Sequence, residues 1–208
     1  MTTAARRSPP SKEAIALLPP FPRLGLDRIA LVATAAEVQA AATALLDAAR
    51  GMALPAWGFD TESKPTFHAG EVSDGPHVVQ FATLQHAWVF QLHTAACREA
   101  VAALLLQPGI VKAGFGLGDD RRFIARKLGV DAPDVLDLNA AFVARGWKRD
   151  IGVKSAVAVL FGQRFQKSRK ATTSNWANRV LSEAQLLYAA NDAWAAALVH
   201  ARLADIPD

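Results

Sequence analysis

The stretch that most constrains the fold is WGFDTE, at residues 57–62. It is typical of a short buried strand, in which side chains point alternately to the two faces. Trp57 and Phe59 would then point into a core, and Asp60 and Glu62 would share the opposite face. Neighbouring carboxylates repel each other and are costly to bury without a partner. A divalent cation between them would offset that cost, whereas a solvated strand face is the alternative.

Length and composition are those of one α/β domain, or of a domain with an extension, because the chain has 208 residues of which 51% are hydrophobic. The longest apolar run, around residues 100–106, is too short to span a membrane, so we expect no membrane partner. Cys97 is the single cysteine, which excludes an internal disulfide and a multi-cysteine zinc site. A reducing cytoplasm is the simplest compartment for such a chain.

Residues 1–24 are expected to form a flexible or loosely docked arm ahead of a folded domain at residues 25–208. The arm is rich in proline and basic at its start. Arg6 and Arg7 are similar to the start of a twin-arginine signal, but five prolines interrupt the hydrophobic region that such a signal requires. A mitochondrial targeting role for the basic residues is an open alternative.

The order of the remaining elements predicts an α/β domain with a mixed sheet. Strand patterns occur at residues 57–62, 78–84, 87–92, 111–115 and 135–138, with a short strand or lead-in at residues 28–32. Helical patterns occur at residues 34–50, 95–106, 119–128, 138–145, 153–161 and 183–203. Strands in a run form an antiparallel meander, and strands that alternate with helices form parallel pairs. We therefore expect a five-stranded mixed sheet flanked by helices.

A third candidate carboxylate, Asp120, lies in the first turn of the helix at residues 119–128. The helix dipole favours an anionic side chain there. Phe123 and Ile124 share the face of Asp120, so this face should pack on the sheet. Asp119 is the better candidate for the N-cap. Simple capping is the alternative role for either acid alone.

The last helix contributes Tyr188 and Asp192, which lie on one face because they are four residues apart. Ser182 and Gln185 match a capping box at the start of this helix. For Tyr188 and Asp192 alone, packing and a surface charge would be the ordinary roles.

Basic residues are concentrated at residues 145–179, which contain nine Lys/Arg and one acid in a chain of net charge +4. Aromatic residues are interleaved with them, a pattern that indicates contacts to phosphates and unstacked bases. Lys167 and Arg169 are the candidate phosphate contacts, and Trp176 either contacts the nucleic acid or packs. A solvated helix face with an exposed loop at residues 163–175 is the alternative.

The order of the candidate residues resembles that of a known family. Asp60 and Glu62, then Asp120, then Tyr188 and Asp192 follow each other as in the DEDD superfamily of 3′→5′ exonucleases. The shared motifs are FDTE with KP after it at residues 59–65, KAGFG at residues 112–116, and YAANDA at residues 188–193. SNW at residues 174–176 and RVLS at residues 179–182 resemble the family's lead-in to the last motif.

The resemblance covers residues 54–203 and is to the tyrosine subgroup, DEDDy. The histidine subgroup places a histidine five residues before the last acid, where this chain has Leu187. The chain is similar to Werner-type exonuclease domains and to ribonuclease D within the tyrosine subgroup.

What the resemblance implies is a ribonuclease H-like fold and a metal-dependent 3′→5′ exonuclease of DNA or RNA that releases nucleoside 5′-monophosphates. Two Mg²⁺ or Mn²⁺ ions, about 4 Å apart, would bracket the scissile phosphate. By analogy, Asp60, Glu62 and Asp192 would hold the ion that activates water. Asp60 would bridge to the second ion, which Asp120 would support. Tyr188 would orient the attacking water.

Two other functions stay open on the sequence alone. One is a non-catalytic nucleic-acid-binding domain of the same fold, against which the intact acids argue. The other is a hydrolase of dinucleotides or short oligonucleotides, against which the long basic stretch argues. The glycine-rich turn at residues 114–118 lacks the G-x-G-x-x-G spacing of a dinucleotide-binding loop, so no small-molecule cofactor is expected.

Overall fold

The computed structural model describes residues 6–66, 71–148 and 151–206, apart from the side chains of residues 169 and 170. The strands are β1 (Ile29–Val32), β2 (Ala56–Glu62), β3 (Val78–Ala82), β4 (Ala87–Gln91), β5 (Val111–Gly114) and β6 (Val135–Asp137). The helices are α1 (Lys12–Ala16), α2 (Ala35–Ala49), α3 (Ala95–Leu105), α4 (Gly118–Leu128), α5 (Leu138–Ala144), α6 (Gly152–Phe161), α7 (Arg169–Thr172) and α8 (Glu183–Ala201). Short 3-10 turns span Leu26–Arg28 and Leu203–Asp205.

The strands form one mixed sheet in the order β1-β4-β3-β2-β5-β6. The antiparallel meander of β2, β3 and β4 and the parallel pairs of β2 with β5 and of β5 with β6 are as predicted. The described sheet has six strands rather than five, because Ile29–Val32 pairs in parallel with β4. A four-residue strand at the edge of a sheet is stabilised by pairing with its neighbour, here β4. The sequence of the strand alone does not show that neighbour.

The two faces of the sheet are covered by different layers. Trp57 and Phe59 of β2 are buried with residues of α2, α3 and α4, so the predicted core face is confirmed. The opposite face is covered by α5, α6 and α8. Asp60 and Glu62 belong to this second face, at the end of β2.

Helix α8 lies directly against β2. Its start is the predicted capping box: Ser182 accepts a hydrogen bond from Gln185 N, and the Gln185 side chain accepts one from Ser182 N. A Cβ added at Gly58 would lie 1.9 Å from Ala193 O, so only glycine permits this approach of helix to strand. Among the described helices, α8 included, none is long and apolar enough to cross a membrane.

Helix α4 begins one residue earlier than expected, and the prediction that Asp119 caps it is wrong. Leu117 is at the N-cap position and has no side-chain cap. Asp119 instead forms an ion pair with Arg122 at 2.6 Å. The turn before the helix is held from β6, because the Asp137 carboxylate accepts hydrogen bonds from Gly116 N and Leu117 N, each at 3.2 Å.

The described residues of the N-terminal segment, 6–24, pack on the domain. Phe21 and Leu24 are buried. Phe21 N donates to Arg164 O at 3.0 Å, and Leu24 N donates to the Asn191 side chain of α8 at 2.8 Å. The sequence alone favours a flexible or loosely docked arm, and these contacts show a docked one over the described residues. A domain boundary at residue 24 stays a prediction, and residues 1–5 lie outside the described part.

Candidate active site

Three carboxylates from two elements meet at the end of β2. Asp60 and Glu62 come from the strand and Asp192 from α8. One oxygen of each lies within 4.8 Å of the others. The predicted convergence of these acids, which are separated by about 130 positions in the chain, is therefore confirmed by the geometry.

Asp120 lies beside this cluster rather than within it. The Thr61 hydroxyl donates to Asp120 Oδ1, which ties the start of α4 to the strand that carries the other acids. Burial raises the pKa of Asp120, and its charge in turn acts on the Asp60 carboxyl. Asp120 is thus linked to the strand of Asp60 and Glu62 through the intervening residue, Thr61.

Tyr188 lies one helical turn before Asp192 and is 9% exposed. Its hydroxyl is hydrogen-bonded to that of Thr172 in α7 at 3.1 Å. Burial, with a smaller effect from Asp192, raises the pKa of Tyr188 to about 12. The phenol therefore keeps its proton over the whole neutral range.

The ionised acids repel one another unless a positive charge lies between them. Burial, and then the charge of Asp192, raises the pKa of Asp60. Burial, and then the charge of Asp60, raises the pKa of Glu62. Burial also raises the pKa of Asp192, although Lys167 acts in the opposite direction. All three shifts mean that the ionised cluster is destabilised in the fold.

Lys167 lies inside the candidate site. Its Nζ is 2.6 Å from Asp192 Oδ2 and 5.4 Å from the centre of the Tyr188 ring. Burial works against the charge on Lys167, but the charges of Asp192 and Asp60 outweigh it and raise the lysine pKa. The ammonium and the carboxylate form a close ion pair, and the charge and hydrogen bonding of Lys167 both act to lower the pKa of Asp192.

The site fits a divalent metal ion. Its donors are carboxylate oxygens, the ligands that hard cations such as Mg²⁺ and Mn²⁺ prefer. The raised carboxyl pKa values show that the ionised cluster lacks positive charge, which the protein itself supplies only in part, through Lys167.

The other two predicted nucleic-acid contacts are Trp176 and Arg169. Trp176 is fully buried, and its ring centre is 5.9 Å from that of Tyr188. Because the ring has no exposed surface, it cannot stack on a base. Trp176 therefore packs in the core and does not contact the substrate. Arg169 begins the backbone of α7, but its side chain lies outside the described residues, and its role stays a prediction.

Four residues around the acids were not singled out by the sequence. Thr61 and Thr172 hold Asp120 and Tyr188. Lys154 of α6 belongs to the basic stretch at residues 145–179 and acts electrostatically on Asp192. Gln80 is opposite Asp60 in the register of β3, is fully buried, and has no hydrogen-bond partner for either amide atom among the described residues. A glutamine within the apolar run of β3 was the signal for it.

The mixed sheet and the cluster of acids at its centre define a class, that of the DEDD-type nucleases. A family model described as 3'-5' exonuclease matches residues 30–206, and the chain belongs to this family. The predicted family and the ribonuclease H-like fold class are thereby confirmed.

Relatives of this chain are named for the same activity. It is 29% identical over 153 residues to a 3'-5' exonuclease of Arabidopsis thaliana, a match that covers 73% of this chain and 53% of the relative. It is 26% identical over 157 residues to the bifunctional 3'-5' exonuclease/ATP-dependent helicase WRN of Mus musculus, over 73% of this chain and 11% of the relative. The chain therefore spans about half the length of the first relative and a small part of the second.

A solved structure shows the same fold. Trypanosoma brucei RNase D, in a crystal structure of its complex with RNA U12, is 24% identical and has a TM-score of 0.71. The match covers 86% of this chain and 64% of the RNase D chain.

Proposed function

We propose that the chain is a metal-dependent 3′→5′ exonuclease, which hydrolyses the terminal phosphodiester bond of DNA or RNA and releases nucleoside 5′-monophosphates. The observation that carries this proposal is the meeting of Asp60, Glu62 and Asp192 within 4.8 Å, in a chain of the exonuclease family. The RNA in the Trypanosoma brucei RNase D crystal favours a nucleic-acid substrate. A reducing cytoplasm remains our proposed compartment, in keeping with the free, buried Cys97.

Two divalent ions, Mg²⁺ or Mn²⁺, are the proposed cofactors. Asp60, Glu62 and Asp192 would hold the first, and Asp60 with Asp120 would hold the second. Such ions supply a water of lowered pKa as nucleophile and positive charge for the departing 3′ oxygen. The carboxylates must be ionised to bind them, which the metal charge itself favours against the raised pKa values.

Tyr188 and Lys167 would act on the substrate from the same face. The Tyr188 phenol stays protonated, so its hydroxyl can orient the attacking water by hydrogen bonding. Lys167 neutralises Asp192 in the metal-free chain. Once metal ions take over that task, its ammonium is available to the scissile phosphate, which keeps the predicted phosphate contact for this residue.

A 5′-labelled oligonucleotide tests the proposal. With Mg²⁺ or Mn²⁺ it should give a ladder that shortens from the 3′ end, and Asp192→Asn should abolish the ladder while the circular dichroism spectrum stays unchanged. Asp47→Asn is the matched control, because Asp47 is an exposed carboxylate paired only with Arg50. Matched DNA and RNA substrates with single-stranded, blunt and recessed ends would define the preference.

The two alternatives give other outcomes in the same assay. Binding without a ladder, in either metal and on every substrate, would support a non-catalytic domain and contradict the proposal. Cleavage of a dinucleotide but not of a 20-mer would support a hydrolase of short oligonucleotides.

A further inference from the structure

Two cavities on the α8 side of the sheet meet at one lysine. The first, of about 400 Å³, begins at Lys167 and is also lined by Phe115, Asn139 and Lys154. The second, of about 320 Å³, runs from Lys154 to Arg164 and to Lys12 of α1. Lys154 lines both, so the two adjoin there, and together they make one surface that reaches from Lys167 to the N-terminal segment. We call it the basic groove.

Two lysines of the basic groove have no acidic partner among the described residues. Lys12 and Lys154 are exposed, and neither forms an ion pair with a described residue. No carboxylate is found among the described residues that line either cavity. Two lysines without acidic partners, next to a third that is paired with Asp192 of the site, give the groove a positive potential that favours an anionic ligand.

A second basic surface of the molecule shows the contrast. On α4, Arg121 lies 3.3 Å from Asp131 and Arg122 lies 2.6 Å from Asp119. These arginines are already neutralised by acids on the protein surface. The basic groove is therefore the better candidate of the two for binding phosphates.

The N-terminal segment is fixed as one wall of the basic groove. Helix α1 is capped by Ser11, and its Ile15 is buried. The Arg164 guanidinium donates to Ala16 O at 2.6 Å, and Arg164 N donates to Pro19 O at 2.8 Å. These contacts fix the segment that carries Lys12, which lines the second cavity together with Lys154.

We propose that the basic groove binds the single-stranded part of the nucleic acid that lies 5′ of the scissile phosphate, and that α1 supplies its outer phosphate contact through Lys12. The inference rests on the proposed exonuclease function. A positively charged groove that follows the backbone is a general means of binding single strands without sequence preference. Lys167 contacts the phosphate at the acids, Lys154 the next stretch of backbone, and Lys12 the stretch beyond it. The N-terminal segment thus belongs to the substrate-binding surface.

The salt dependence of binding tests this proposal. Lys12→Ala and Lys154→Ala are compared with wild type by fluorescence anisotropy, using a 5′-labelled single-stranded 20-mer in EDTA. Each variant should weaken binding by about five-fold at low salt and lower the slope of log K against log salt by about 0.7. Arg50→Ala is the control, because Arg50 is exposed at the C-cap of α2 in the other layer and is paired with Asp47. It should change neither quantity.

A length comparison adds a readout that a structural role of Lys12 would not move. With Mg²⁺, the ratio of kcat/KM for the 20-mer to that for a dinucleotide should fall about five-fold in Lys12→Ala. A lysine that only supports the fold would lower both values together. The melting temperature of each variant is measured in parallel.

The outcomes separate this inference from the proposed function. If wild type cleaves the 20-mer but the lysine variants have the salt slope of Arg50→Ala, the basic groove does not carry the strand and the inference is wrong. If the slope falls as expected while wild type cleaves nothing, the groove binds nucleic acid and the exonuclease proposal fails.

Discussion

The two faces of β2 differ in what they require of their residues. On one face Phe59 is 1% exposed and lies among aromatic side chains, with its ring centre 5.6 Å from that of Phe81. On the other face, one residue along, Asp60 lies against Asp192 in a partly buried cluster whose carboxyl pKa values are raised. The first face is a close-packed apolar core. The second face brings like charges together, which is unfavourable without a counter-charge.

The difference shows which face of β2 stabilises the fold and which face destabilises it. The packed face contributes dispersion and hydrophobic burial. The acidic face makes the metal-free fold less stable than an apolar equivalent would be, and the proposed binding of cations would offset that cost. Substitutions of adjacent residues on one strand should therefore have opposite consequences.

The largest expected change in stability is on the packed face. Phe59→Ala removes a fully buried ring and should lower the free energy of unfolding by about 3–5 kcal/mol. Guanidinium unfolding in EDTA measures it, and Leu54→Ala, at an 83% exposed residue, is the control. A loss below about 1 kcal/mol would mean that the core at Phe59 is not packed as described.

Asp60→Asn should have the opposite effect on stability, together with a large loss of activity. Activity should fall by about a thousand-fold or more, because Asp60 is a ligand of the proposed metal ions. Stability without metal should rise, since a neutral amide removes the repulsion among the acids. Initial rates with Mg²⁺ and melting curves in EDTA give the two values, with the exposed Asp131→Asn as control. A melting temperature that falls as far as that of Phe59→Ala would erase the distinction between the two faces.

Gly58→Ala tests how closely the acidic face is held. The new Cβ would lie 1.9 Å from Ala193 O and 2.7 Å from Ala197 N, both backbone atoms of α8. The helix must move, which should cost about 1–3 kcal/mol in stability. The shift should also weaken metal affinity, because Asp192 is the residue before Ala193. Isothermal titration with Mn²⁺ measures it.

A matched glycine provides the control for that displacement. A Cβ at Gly118 meets nothing within 4 Å, so Gly118→Ala should leave Mn²⁺ affinity and melting temperature close to those of wild type. If Gly58→Ala also keeps wild-type affinity, the contact of α8 with β2 does not position Asp192.

Much of the fold was predictable because its signals are local. Alternation identified β2, the content of Val, Phe and Trp identified β3 and β4, and the capping box identified the start of α8. What could not be predicted depends on partners far away in the chain. β1 is a strand because β4 lies beside it, and the turn before α4 is held by Asp137 of β6 rather than by its own Asp119.

The candidate site shows the same division. The spacing of its motifs identified the four acids and Tyr188, since those positions follow a family order. No spacing relates Lys167 to Asp192, or Gln80 to Asp60, because only the folded chain brings them together. The contribution of α1 to the basic groove was hidden for the same reason: a proline-rich segment carries no local sign of where it docks.

The smallest predicted effect is the pH dependence of metal stabilisation. Folding raises the pKa values of Asp60, Glu62 and Asp192, so the folded chain binds protons that the unfolded chain has released. Without metal, this contribution to stability is fully present below the unfolded carboxyl pKa, about 4, and is lost as pH rises through the folded values. Lys167 adds no pH dependence between pH 5 and 8, because its raised pKa lies far above this range.

In the proposed mechanism metal ions bind the ionised acids, and they should then remove that loss of stability. Millimolar Mg²⁺ or Mn²⁺ should raise the melting temperature by a few degrees at pH 8 and by less at pH 5.5. Differential scanning fluorimetry at the two values of pH measures both gains. In Asp192→Asn the gain at pH 8 should shrink. An equal gain at both values of pH, or none at either, would show that the acids do not bind the cations as one ionised cluster, and the contrast between the faces of β2 would then be one of packing alone.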